Sequence, residues 1–154
     1  MKFFLMLLIS IFFFSCHLKE KETAAAPAPY TIATEKQKKE NRQTGDTIQM
    51  NFSNEEGSYT GEGSLDSIRS KVFIKFKNKD FGALEARIVP STGKGNIRFN
   101  QIIFPDKSSD GPFGMDLKIP LKQKGDYILV IGHSLMADNP YLGKFKVQLE
   151  NKKE

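Results

Sequence analysis

The chain has 154 residues but only one cysteine, two histidines and no tryptophan. A single cysteine closes no intrachain disulfide, so a covalent staple does not stabilise the fold. From residue 46 onward there is one histidine, His133, and no cysteine, which is too few ligands for a zinc site of the usual kind. Long apolar runs are nearly absent. The single run, residues 3–14, is interrupted only by Ser10 and would measure roughly 18 Å as a helix. A spanning helix needs about 20 apolar residues for a hydrocarbon core of about 30 Å. Charge of one sign is also missing. From Thr47 to the end, 16 Lys and Arg face 13 Asp and Glu, spread along the chain. That mild balance gives no basic block of the kind nucleic-acid binding requires.

The short run does have a meaning. Lys2 followed by an apolar stretch of this length matches the basic and hydrophobic regions of an export signal. It ends in Phe13-Phe14-Ser15-Cys16 and turns at once into the charged "HLKEKE". A small residue directly before a cysteine at this place resembles the lipobox of bacterial lipoproteins. The resemblance implies that residues 1–15 are a signal peptide that is removed and that the Cys16 thiol is acylated. Membrane lipid is then the first partner, since two or more acyl chains anchor stably where one does not. The expected location is the outer membrane, on its periplasmic face or at the cell surface, where charges behind the cysteine resemble a surface-export signal. The alternative is a plain signal peptide, which leaves a lone thiol in an oxidising compartment.

Residues 16–45 read as a lipidated cysteine and a disordered tether. The segment "HLKEKETAAAPAPYTIATEKQKKENRQTGD" has few large apolar residues, an Ala-Pro tract and a charged stretch. It buries too little apolar surface to offset its chain entropy.

Residues 46–152 read as the folded domain. Their hydrophobic period is two: Ile48, Met50 and Phe52; Val72, Ile74 and Phe76; Leu84, Ala86 and Ile88; Ile97 and Phe99; Leu117, Ile119 and Leu121; Phe145, Val147 and Leu149. Strict alternation marks strands with one buried face. The continuous "YILVIG", residues 127–132, reads as a central strand covered on both sides. Turn signals such as "KNKDFG", "STGKGN" and "KQKGD" separate the runs. The pattern predicts an all-β domain, an antiparallel jelly-roll-like β-sandwich of about eight strands.

Little in the domain points to catalysis. His133 and Asp138 are close enough in sequence to pair across a loop, but Ser134 and His133, being adjacent, point in opposite directions. Paired carboxylates occur at Glu55 and Glu56, and at Asp106 and Asp110, all in polar turns where acids are ordinarily solvated. "PDKSSD" offers oxygens to a hard cation without a recognised loop spacing. "TGKGN" lacks the residues and the helix of a phosphate loop. The expectation is a non-enzyme without cofactor or metal.

Two stretches, "TIQMNFSNEEGSYTGEGSLDSIRSKVFIKF" and "IPLKQKGDYILVIGHS…YLGKFKVQLE", resemble the inhibitors of goose-type lysozyme and, more loosely, pre-peptidase-type β-sandwich modules. The resemblance implies an envelope protein whose loops enter the cleft of a muramidase, with contacts from a late loop and from an aromatic of an early loop. Here the late loop is residues 132–144, with His133, Asn139, Tyr141 and Lys144 as candidate contacts. The early loop offers Asp66, with Tyr59 a few residues before. Tyr141, flanked by Pro140 and Gly143, reads either as a rigid aromatic anchor or as a residue packed on the end of the sandwich. The other function class is an accessory envelope lipoprotein that binds glycan, peptidoglycan or a neighbouring protein.

Overall fold

A computed structural model of the chain describes residues 40–92 and 95–153. The signal segment, Cys16 and the tether up to residue 39 lie outside the described residues, as do Gly93 and Lys94 of the "TGKGN" turn. Among the described residues there are ten strands: β1 (Asn41–Thr44), β2 (Thr47–Gln49), β3 (Tyr59–Leu65), β4 (Val72–Asn78), β5 (Gly82–Pro90), β6 (Arg98–Ile103), β7 (Ser109–Asp110), β8 (Asp116–Leu121), β9 (Gly125–Gly132) and β10 (Gly143–Lys153). They form one curled sheet in the order β7-β6-β9-β4-β2-β1-β3-β10-β5-β8.

The sheet differs from the expected eight-stranded antiparallel arrangement in two ways. It has ten strands, and two neighbouring pairs are parallel, β1 with β3 and β2 with β4. The parallel pairs come from the β1–β2 hairpin, which bridges the two halves of the sheet, and the strands beyond the expected eight are β1 and the two-residue β7. Gly45, at φ 61°, lets the chain reverse between Thr44 and Thr47. Strand β1 also lies inside the segment expected to be tether. Its sequence, Asn-Arg-Gln-Thr, carries no apolar residue, so periodicity cannot reveal it. A side chain holds it instead. Buried Asn41 donates through Nδ2 to the carbonyls of Phe52 (2.8 Å) and Thr60 (3.0 Å), and its Oδ1 accepts the amides of Asn51 and Phe52. All the polar valences of this buried amide are used.

The curl folds one apolar face onto itself. Burial alternates along β4, β5 and β10, as a period of two requires. The inward side chains of both halves form a single cluster that includes Ile48, Ile74, Phe99 and Leu129 from one half and Leu84, Ile88, Phe145 and Val147 from the other. Each such side chain contributes about 1.5–3 kcal/mol on burial. The halves pack closely at Gly61 in β3, where a Cβ would lie 2.8 Å from Cγ2 of Ile48.

One connector joins the two edges of the sheet. After β7 the chain leaves β6 and crosses to β5. Phe113 N donates to Phe99 O (2.9 Å) and Phe99 N to Gly114 O (3.0 Å), while Ile88 N donates to Met115 O (2.9 Å). The first and last strands of the order are thus successive in sequence.

Candidate functional site

Strand register decides which loops meet. Val72 pairs with Ile131, Arg98 with Gly132, Leu65 with Gly143, and Pro90 with Phe145. Residues 66–71, 91–92, 95–97 and 133–142 therefore emerge at the same end of the sheet, beside the β1–β2 turn.

His133 ties these three segments together. It is 6 % exposed. Its Nε2 lies 3.1 Å from Ser67 O, and its Nδ1 accepts the Tyr141 amide at 3.1 Å and lies 3.0 Å from Asn96 O. The tautomer protonated at Nε2 serves Ser67 and Tyr141 together. Asn96 adds three further ties, since its Nδ2 donates to Ser134 O (3.0 Å), its N donates to Asn139 O (2.7 Å), and its O accepts the Tyr141 amide. His133 thus works as a brace under the surface. Asp138, near enough in sequence to pair with it, is not among its hydrogen-bond partners.

Tyr141 is also beneath the surface. It is 0 % exposed and belongs to the core cluster, and its hydroxyl donates to Lys144 O. Of the two readings open in the sequence, the packed one describes this ring: an anchor needs a face to offer, and this one has none. Lys144 keeps its side chain exposed, while its amide donates to Thr92 Oγ1 at 2.9 Å and its carbonyl accepts Ser91 N at 2.8 Å. Asp66 is exposed and accepts the Ser70 hydroxyl. The Asn139 side chain is exposed too. Tyr59 lies elsewhere. It opens β3 opposite Leu149, whereas Leu65 at the other end of the strand borders the loops, so six residue steps, about 20 Å, separate it from the cluster.

Sequence reasoning passed over the most exposed apolar residues of this end. Leu135 and Met136 are 85 % and 97 % exposed at the tip of the β9–β10 loop. They border a groove of about 500 Å³, with Ile68 also at its edge and Arg69, Lys71 and Arg98 supplying positive charge. The Arg98 guanidinium donates to Asn100 Oδ1 at 3.0 Å, across the irregularity in β6 between Phe99 and Gln101. None of the ion pairs among the described residues involves these three cations. The signal was present in the sequence as an apolar pair within a polar loop. It carried no period and so no structural assignment.

Other parts of the surface are occupied by their own charges. Over β5, β8 and β10, Arg87 pairs with Asp116 (2.6 Å), and Glu85 pairs with Lys152 (2.6 Å) and Lys118 (2.9 Å). Hydrogen bonds from Lys152 and then Lys118 hold the Glu85 carboxyl down at about 2. Asp106 accepts from Ser108 and Gln123, and Asp110 from the Gly111 amide. Among the described residues no group of three or more His, Cys, Asp or Glu side chains is placed to hold a metal ion.

No family model matches the chain, and no curated protein matches it in sequence. Solved structures do match. The crystal structure of Aeromonas hydrophila PliG, a periplasmic lysozyme inhibitor of g-type lysozyme, aligns with a TM-score of 0.52 and 14 % identity, over 69 % of this chain and 96 % of that one. Salmonella Typhimurium PliG, described in the same words, aligns with a TM-score of 0.47 and 16 % identity, over 71 % and 100 %. The pre-peptidase C-terminal domain of a Bacillus anthracis collagenase aligns with a TM-score of 0.41 and 16 % identity, over 75 % and 98 %. At such identities the likeness is one of fold, and the first alignment carries it: this chain is similar in fold to the Aeromonas inhibitor over nearly the whole of that protein.

Proposed function

We propose that the chain is a lipid-anchored envelope protein that binds a g-type lysozyme through the loop end described above and obstructs its cleft. In this reading Cys16 is the acylated anchor, the domain has a jelly-roll-like sandwich topology, and the protein stands at the outer membrane. The observation that carries the reading is the exposed Leu135–Met136 tip, held on a braced loop of a fold shared with a g-type lysozyme inhibitor. Apolar side chains presented on a rigid frame gain contact area without a large ordering cost. Arg69, Lys71 and Arg98 surround the tip with charge suited to the carboxylates of a glycosidase cleft. Asp66, Asn139 and Lys144 form the outer rim. His133 and Tyr141 act through the loops they position.

Inhibition of g-type, chicken-type and invertebrate-type lysozymes by the purified chain tests this. The expected result is inhibition of the g-type enzyme with Kd at or below ~1 µM, about −8 kcal/mol of binding, and its loss in the Leu135→Asp/Met136→Asp double variant. Absence of inhibition of every type, with the protein folded, removes the lysozyme reading. Anchoring is tested separately by metabolic labelling with a fatty-acid analogue, which Cys16→Ser should abolish.

A further inference from the structure

We propose that the end of the sheet opposite the loop cluster is a docking surface for a bilayer carrying anionic phospholipid headgroups. Phe81 is its apolar contact, and Lys79, Lys122 and Lys124 are the charges that hold it there.

The register builds this end as it builds the other. Asn78 pairs with Gly125 and Gly82 with Leu121, so the β4–β5 and β8–β9 connections lie side by side. One step beyond the last pair sets Phe81 next to Lys122. Phe81 is 57 % exposed, and Lys124 Nζ stands 5.3 Å from its ring centroid. An aromatic ring with an ammonium at its side is the combination that settles at a headgroup interface, ring toward the acyl carbons and cation toward phosphate.

The lysines are held on a fixed frame. Gln123, between Lys122 and Lys124, accepts through its carbonyl from Asn78 Nδ2 (2.9 Å) and from the Tyr127 hydroxyl (2.9 Å). Its side-chain Nε2 donates to Asp106 Oδ2 at 2.7 Å, which ties in the β6–β7 connection. Asn151 Nδ2 donates to Asn78 Oδ1 at 2.8 Å and ties in β10.

Positive charge prevails here because lysines outnumber the acids. Asp80 pairs with Lys153 at 2.8 Å, Asp106 accepts from Ser108 and Gln123, and Asp126 lies directly across the ladder from Lys77. None of the ion pairs among the described residues involves Lys79, Lys107, Lys122 or Lys124. All four are lysines, mobile point charges suited to headgroup phosphates whose positions are not fixed, where a bidentate site would call for arginine. Each lysine near an anionic surface raises the local partition about fivefold, so three give on the order of a hundredfold.

This inference does not depend on the lysozyme reading. It turns the loop end away from the bilayer by the length of β4, about 20 Å over six residue steps.

The absence of tryptophan supplies the test. Full-length Phe81→Trp and Leu135→Trp chains each carry one indole, at opposite ends of the sheet. Both are reconstituted on phosphatidylcholine vesicles with brominated acyl chains, with and without phosphatidylglycerol. In the Phe81→Trp chain, the emission should shift to the blue and be quenched only when phosphatidylglycerol is present. The quenching should disappear in about 1 M salt, where the Debye length is ~3 Å, and when Lys79, Lys122 and Lys124 are changed to Glu. The Leu135→Trp chain should show neither effect. Quenching of Leu135→Trp in place of Phe81→Trp, quenching of neither, or equal quenching without phosphatidylglycerol would each overturn the proposal. Lysozyme inhibition plays no part in these readouts.

Discussion

The imidazole of His133 accepts the backbone amide of Tyr141 at 3.1 Å while its other nitrogen faces the carbonyl of Ser67, 66 residues earlier in the chain. One side chain thereby closes the β3–β4 loop onto the β9–β10 loop, beneath the exposed tip that the functional reading requires.

His133→Ala should therefore act on stability first. It takes one of two partners from Ser67 O, which keeps Ser70 N, leaves the buried Tyr141 amide only its 3.4 Å contact to Asn96 O, and opens a small void, a loss of about 1–3 kcal/mol. Urea unfolding measures it. A loss within about 0.5 kcal/mol would mean that the loops stay together without the brace.

The tip should behave in the opposite way. Leu135→Ser and Met136→Ser remove exposed side chains, so unfolding should shift by no more than about 0.5 kcal/mol. Lysozyme inhibition should fall at least about tenfold, or 1.4 kcal/mol. Full inhibition by both variants would move the contact to Asp66, Asn139 and Lys144.

Gly61 is expected to tolerate no branched residue. A Cβ there already stands 2.8 Å from Ile48 Cγ2 and Met50 Cε, so Gly61→Val forces the two halves of the sheet apart. The cost should be about 1–3 kcal/mol. A melting temperature equal to that of the unchanged chain would show that the halves can separate freely at this point.

Glu85 sets a pH dependence. Its carboxyl is lowered from 4.5 to about 2 by hydrogen bonds from Lys152 and Lys118. A depressed carboxyl stabilises the fold above its unfolded pKa and loses that contribution as pH falls through the folded one. The loss belongs to the window from pH 4.5 to about 2. Glu85→Gln should flatten the melting-temperature profile there and change little at neutral pH, because the group and its lysines face solvent. An unchanged acid limb would show that the pairs do not persist in solution.

The long strands were legible from the sequence because they obey a two-residue period: β4, β5, β8 and β10 fall where Val72–Ile74–Phe76, Leu84–Ala86–Ile88, Leu117–Leu121 and Phe145–Val147–Leu149 alternate. β1 was not, since its anchoring lies in one amide side chain and in backbone bonds. β7, two exposed residues, leaves no pattern either. The candidate site was legible only as a stretch of chain. Loop 132–144 was singled out, but which of its residues face outward depends on contacts with residues 67 and 96. Tyr141 and His133 carried the conspicuous side chains and went inward. Leu135 and Met136, which look like core residues, went outward.

The connector through residues 111–115 bears on how copies of this chain meet. An open sheet ends in two rows of unsatisfied backbone groups, each a template for a foreign strand. Here one edge is the brief strand β7, and the chain leaving it spends its bonds on β6 and β5 before becoming β8. The other edge is β8 itself, six residues long and interrupted by Pro120, which has no N–H to give. Crowded molecules that meet along either margin find only a short or proline-interrupted row to pair with.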